Sequence, residues 1–191
     1  MKLGVLGSGK GSNFRSIVDA IAEGRLRAEV CLVMADVPDA GILALARERG
    51  IAAETIPGGR YRTRLETATE QAVADRLRRA GAEWVVLAGF MRLLKGPLLT
   101  AFPGRIINIH PSLLPLYPGL ESWKQALAAG AAEAGCTVHY VDAGMDTGSI
   151  IAQRVVPVIA GDTPETLHAR IQAAEHALYP EVLARLGATH S

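Results

Sequence analysis

Lys2-Leu3-Gly4-Val5-Leu6-Gly7-Ser8-Gly9-Lys10-Gly11-Ser12-Asn13 opens the chain as an apolar run, a glycine-rich turn and the start of an amphipathic segment. It reads as a strand delivered into a helix through an anion-holding loop. Glycines let the backbone approach closely, and the free N–H groups of a helix start favour negative charge. The stretch is not a nucleoside-triphosphate loop, because Lys10 is followed by Gly11 and not by Ser or Thr. It is also an imperfect dinucleotide fingerprint, with Ser12 where a third glycine would stand. Asp36, after the next strand-like run, sits where a ribose-binding acid would, and keeps open an NAD-dependent oxidoreductase. A non-catalytic nucleotide-binding module is a further alternative.

From this opening the strand–helix rhythm continues. Strands are expected at 2–6, 29–34, 52–56 and 84–87, and helices at 12–22, 41–49 and 63–80. Such βαβ units imply parallel strands with helices on both faces. After Gly89 the order changes, with a short helix near 96–102, a strand ending at His110, and a helix at 122–129. Two strand-like runs, 136–141 and 149–157, are expected to pair antiparallel at an edge of the sheet. A last helix, 163–186, has Thr163 as N-cap and Pro164 in its first turn. Its apolar stripe is read as Leu167, Ile171, Ala174 and Leu178, with His168, Glu175 and His176 off it, and the polar tail after Leu186 is expected to fray. The fold class is therefore α/β, a Rossmann-like, mostly parallel sheet with an antiparallel edge in the C-terminal half.

Length and composition narrow the function. A chain of 191 residues, 49% hydrophobic, suits one domain, here 1–191, with a phosphate-binding half over about 1–100 and a catalytic half over about 101–187. Twenty basic against nineteen acidic residues give a charge of +1, so no general field draws the chain to nucleic acid or an anionic membrane. Cys31 and Cys136 lie in apolar runs without metal spacing and read as buried reduced thiols of a cytoplasmic protein. No targeting or membrane-spanning segment is expected.

The chemistry is placed in Arg105-Ile106-Ile107-Asn108-Ile109-His110-Pro111-Ser112-Leu113-Leu114-Pro115. Strand alternation puts Asn108 and His110 on one face and Ile107 and Ile109 on the other, towards a core. An amide donor and an imidazole aimed at one point can stabilise an oxyanion and handle a proton. Asp146, in the glycine-bracketed turn Ala143-Gly144-Met145-Asp146-Thr147-Gly148, is the carboxylate chosen to accompany them. Pro111, Pro115 and Pro118 stiffen the intervening loop, and Leu114-Pro115 is expected to be cis.

The run from Asn108 to Pro115, the later Tyr117-Pro118-Gly119 and the Asp146-Thr147-Gly148 turn together resemble the signature of folate-dependent formyltransferases. The resemblance implies a formyltransferase fold, 10-formyltetrahydrofolate as cosubstrate, no metal, and Asn108, His110 and Asp146 as the catalytic group. The phosphate loop is similar to that of the branch acting on glycinamide ribonucleotide. In that branch Gly11, Ser12 and Asn13 hold the phosphate, and Gln172 and Glu175 face the ribonucleotide. The folate site would comprise Arg64 (or Arg62), Met91, Arg92, Leu93, Leu94, Asn108, Val141, Asp142 and Asp146. In it the backbone of Arg92 and Leu94 reads the ring edge, and Leu93 and Leu98 form an apolar wall. His139 would support the site. Glu121-Ser122-Trp123 departs from the family, where histidines are common. Partners are then small molecules only, and the chain a monomer or homodimer.

Overall fold

The alternation builds one seven-stranded sheet in the order β3-β2-β1-β4-β5-β6-β7. The computed structural model describes residues 1–189. The elements follow as β1 (Lys2–Gly7), α1 (Ser12–Ala22), β2 (Glu29–Ala35), α2 (Gly41–Glu48), β3 (Ala53–Thr55), α3 (Thr67–Arg79), β4 (Trp84–Leu87), α4 (Pro97–Ala101), β5 (Ile106–His110), α5 (Ser122–Ala128), β6 (Glu133–Tyr140), β7 (Ile150–Pro157) and α6 (Pro164–Thr189). Strands β1 to β5 pair in parallel, whereas β6 and β7 are antiparallel. The chain winds outward from β1 to β3 and returns to lay β4 on the other side of β1. This reversal leaves a crevice at the strand C-termini, where open α/β sheets take their ligands.

Both faces of the sheet are covered. Ile107 and Ile109 pack with α1 and α6 residues such as Phe14, Ile17 and Leu183, while Ile106 lies on the opposite face with Leu77 of α3 and Leu98 of α4. The Tyr179 hydroxyl, fully buried on α6, reaches the carbonyls of Leu87 at 2.9 Å and Ile107 at 3.1 Å, tying α6 to β4 and β5. Tyr179→Phe is expected to lower stability by about 1–2 kcal/mol, because buried carbonyls lose a donor. A urea midpoint that falls with an unchanged m-value would show it.

Several boundaries differ from expectation. The helix expected from residue 63 begins at Thr67, because the preceding residues bond elsewhere: Leu93 N–H donates to Thr63 O at 2.8 Å, and Arg64 bridges Leu93. Strand β6 starts at Glu133, earlier than its apolar centre suggests. The last helix continues beyond Leu186 to Thr189; the final two residues of the expected tail lie outside the described residues. Thr163 caps that helix, accepting from Thr166 N–H at 3.3 Å while its own N–H donates to Thr166 Oγ1 at 2.9 Å. Cys136 is buried, but Cys31 is only half-buried, its thiol donating to Leu3 O at 3.3 Å. Among the described residues no helix is long and apolar enough to cross a membrane.

Candidate active site

Strand β5 ends in the crevice, and its pairing with β6 sets Asn108 opposite His139 and His110 opposite Thr137. His139 Nδ1 donates to Tyr140 O at 2.8 Å, so its Nε2 can accept from the Asn108 amide at 3.2 Å. Burial lowers the His139 pKa, outweighing the Tyr140 bond and nearby Asp146, and keeps this ring a neutral acceptor. The Asn108 amide thereby has a fixed direction and one N–H still uncommitted.

His110, 6% exposed, directs Nε2 to Tyr117 O at 3.1 Å and Nδ1 towards Asp146 Oδ2 at 3.4 Å. The same Asp146 oxygen accepts from Gly119 N–H at 2.9 Å, and Oδ1 lies 3.8 Å from His139 Nε2. The amide, imidazole and carboxylate predicted from separate stretches thus converge. Nε2 thus has a carbonyl acceptor, while Nδ1 stands beside a carboxylate at a distance too long for a hydrogen bond. Tyr117 and Asp146, the two residues His110 faces, have left-handed backbones with φ of 54° and 56°, as does Glu121 before α5 with φ 52°.

The proline loop is fastened from the sheet. Thr137 Oγ1 donates to Ser112 O at 2.7 Å and accepts from Leu114 N–H at 3.0 Å, and Ser122 Oγ donates to Pro111 O at 2.7 Å. The Leu114-Pro115 bond is cis, as expected. In the segment that departs from the family, Ser122 is therefore a buried anchor, and Trp123 stacks on His168 at 3.7 Å between ring centroids.

The glycine turn opens α1 as anticipated. Gly11, the N-cap, has φ 81°, and a Cβ there would stand 2.9 Å from Ile42 Cα, so backbone angle and space both demand glycine. Asn13 Nδ2 donates to Glu175 Oε2 at 3.2 Å, bringing the two predicted ribonucleotide residues together, and Asn13 Oδ1 is buried without a partner. Glu175 is not off the apolar stripe. It is 5% exposed, aligned with Ile171 and Leu178, and burial pushes its carboxyl up to about 7 against the lowering effect of Asn13. Gln172, one turn earlier, is half-buried.

Asp36 is not available to a ribose. Its carboxylate accepts from Ser8 Oγ at 2.5 Å and Arg92 Nε at 2.5 Å, which removes the main support for an oxidoreductase. The Arg92 guanidinium also donates to Tyr61 O, so the side chain is committed to this network. Met91 is 60% exposed, Leu93 half-buried and Leu94 buried, while Leu98 is wholly within the core and forms no open wall. Arg64 is exposed over the Tyr61 ring, with 4.0 Å from Cζ to the centroid, and Arg62 is likewise exposed. Across the slot, Asp142 Oδ1 accepts from Gly144 N–H at 2.9 Å and Thr147 Oγ1 at 2.7 Å, shaping the turn that carries Asp146. Val141 is half-buried beside it, and Lys95 Nζ donates to Ala143 O at 2.7 Å, joining the two sides.

Sequence reasoning missed Glu70, which is 1% exposed and accepts from the N–H groups of Lys95, Gly96 and Leu98 at 3.1–3.3 Å. Nothing local marks it, since it reads as an ordinary acid in the first turn of α3. Alternation places Thr137 with His139 on one side of β6, but its role in fastening the proline loop depends on Ser112 and Leu114, more than twenty residues away. Among the described residues no group of three or more His, Cys, Asp or Glu could hold a metal ion.

An amide, an imidazole and a carboxylate meet at the end of a Rossmann-like sheet, and the class of group transferase is given by the formyl transferase family model, which matches residues 1–183. The chain belongs to that family. It is 44% identical to phosphoribosylglycinamide formyltransferase of Bacillus subtilis, over 97% of this chain and 94% of the relative. It is 47% identical to the trifunctional purine biosynthetic protein adenosine-3 of Drosophila pseudoobscura, spanning 97% of this chain but only 14% of that protein's length. The crystal structure of glycinamide ribonucleotide transformylase 1 from Symbiobacterium toebii superposes with a TM-score of 0.91 at 50% identity, covering 96% of this chain and 86% of that one.

Proposed function

We propose that this chain transfers the formyl group of 10-formyltetrahydrofolate to the amine of glycinamide ribonucleotide, a cytoplasmic step of purine biosynthesis carried out by one domain. The observation that carries this reading is the convergence of Asn108, His110 and Asp146: His110 Nδ1 lies 3.4 Å from Asp146 Oδ2, and His139 Nε2 stands 3.2 Å from the Asn108 amide and 3.8 Å from Asp146 Oδ1. The amine attacks the formyl carbon, and the tetrahedral oxyanion takes hydrogen bonds from the free Asn108 N–H and from protonated His110. At 3.4 Å the His110–Asp146 contact is longer than the roughly 2.7–2.9 Å of a charge-assisted hydrogen bond, so that N–H is not committed to the carboxylate. Asp146 favours the imidazolium and positions a water that carries a proton from the attacking amine to the folate nitrogen. The bond from formyl carbon to that nitrogen then breaks, and no covalent enzyme intermediate forms.

Gly11, Ser12 and Asn13 hold the ribonucleotide phosphate end, with Gln172 and Glu175 facing the sugar and amine. The unpartnered Asn13 Oδ1 beside Glu175 supports the second of these placements, since a buried acceptor is costly until a donor, here a sugar hydroxyl or the amine, reaches it. The folate lies between the Met91, Arg92, Leu93, Leu94 backbone and the Val141, Asp142, Asp146 turn, with Arg64 at the mouth. His139 orients Asn108. The test is a spectrophotometric assay for deformylated folate with glycinamide ribonucleotide present or omitted. Product only with the amine supports transfer; product without it would mean a hydrolase, and binding without product a nucleotide-binding module.

A further inference from the structure

Asp36 has no place in the proposed reaction, yet it lies at the centre of a network joining the loops assigned to the two substrates. Its Oδ1 accepts from Ser8 Oγ at 2.5 Å, in the phosphate loop. Ser8 Oγ has one hydrogen, spent on Asp36, and accepts in turn from Met91 N–H at 3.0 Å, in the folate loop. Asp36 Oδ2 accepts from Arg92 Nε at 2.5 Å, and the Arg92 guanidinium continues to the carbonyls of Tyr61 and Arg64, in the loop before α3 that also carries Arg60 and Arg62. A second link joins the first two loops through the backbone, Ser8 N–H to Gly89 O at 3.0 Å.

We propose that Asp36 is a positioning residue through which the ribonucleotide and folate subsites are energetically coupled. The inference rests on the function proposed above. The Asp36 and Arg92 side chains are only 6% and 12% exposed, so neither charge is well solvated apart from the other, and the pair has one favourable arrangement. A phosphate drawn into the glycine turn acts on Ser8. Ser8 is bonded to Met91 and, through Asp36, to Arg92, whose backbone is assigned to the ring edge. Occupying one loop therefore holds the other in the geometry its ligand needs, and linkage makes the effect reciprocal.

The experiment is calorimetric titration of the whole chain with glycinamide ribonucleotide, alone and with saturating tetrahydrofolate, a pair that cannot react. In the parent protein the ribonucleotide should bind at least about 5-fold tighter when tetrahydrofolate is present, and tetrahydrofolate should gain the same factor from the ribonucleotide. Asp36→Asn, which keeps the shape but removes the charge, should bring that ratio to within twofold of one. A preparation with a reduced active fraction would keep the ratio, so a merely structural role does not mimic this result. Should Asp36→Asn fail to fold, Ser8→Ala, which breaks the hydroxyl relay without stranding a charge, decides in its place. An unchanged ratio in the folded variant, or two ligands that bind the parent protein with no coupling, overturns the proposal. If the parent protein binds neither ligand, it is the proposed function that has failed.

Discussion

Alanine at His110 is expected to lower kcat by about 10²–10³-fold, a barrier increase of about 2.7–4 kcal/mol, while ribonucleotide affinity stays close to that of the parent protein. The size follows from what is lost: an oriented donor in a nearly dry position, held between Tyr117 O and Asp146. Water admitted into the space left by the ring would have to reorganise at each turnover, whereas the imidazole is already held in place. Affinity is spared because the Gly11, Ser12 and Asn13 loop belongs to a different element, at the start of α1. Asp146→Asn should behave likewise, removing the charge that favours the imidazolium. Single-turnover rates and equilibrium binding of the ribonucleotide measured on the same preparation test both; a His110→Ala enzyme with near-parental turnover would falsify the assignment.

The second large effect concerns pH. Burial holds the Glu175 carboxyl neutral up to about 7, against an ordinary value of 4.5, so between these two values the native state binds a proton that the unfolded chain has released. The contribution of this group is therefore fully present below pH 4.5 and is lost as pH rises through 7. Its full size is about 3 kcal/mol at 1.36 kcal/mol for each tenfold change in proton affinity. Glu175→Gln retains an acceptor for Asn13 and cannot ionise. Relative to the parent protein, the variant should gain stability from pH 5 to pH 8, by an amount approaching that figure. Urea midpoints at the two pH values measure it, and an identical parent-to-variant difference at both would show that Glu175 does not titrate in this window.

What the sequence made legible, and what it hid, divides by the range of the forces involved. Local signals were reliable: the alternation of Ile107 and Ile109 with Asn108 and His110, the Thr163-Pro164 helix start, and the glycine turn before Ser12 all depend on neighbours within a few residues. Glu175 was misplaced because a charged residue was kept out of an apolar stripe that it occupies, and only α1 folding over it supplies the Asn13 donor. Helix α3 starts late because Thr63 O and Arg64 find partners in the Leu93 loop, a competition invisible to helical periodicity. Asp36 was read by position alone, and its partners, Ser8 and Arg92, lie 28 and 56 residues away. Glu70 and Tyr179 escaped for the same reason, as each is satisfied by backbone groups of distant segments.

The pairing of β5 with β6 ties chemistry to hydrophobicity in a way that reaches past the residues named as catalytic. A slip of one residue along β5 would exchange its two faces, sending Asn108 and His110 against α1 and α6 and turning Ile107 and Ile109 towards Asp146 and the proposed site. What forbids this is the burial of the two isoleucines, 0% and 5% exposed and worth about 1.5–3 kcal/mol each. Oil, not the polar groups, sets the alignment of the amide and the imidazole, so trimming Ile107 or Ile109 loosens a reaction that neither side chain touches.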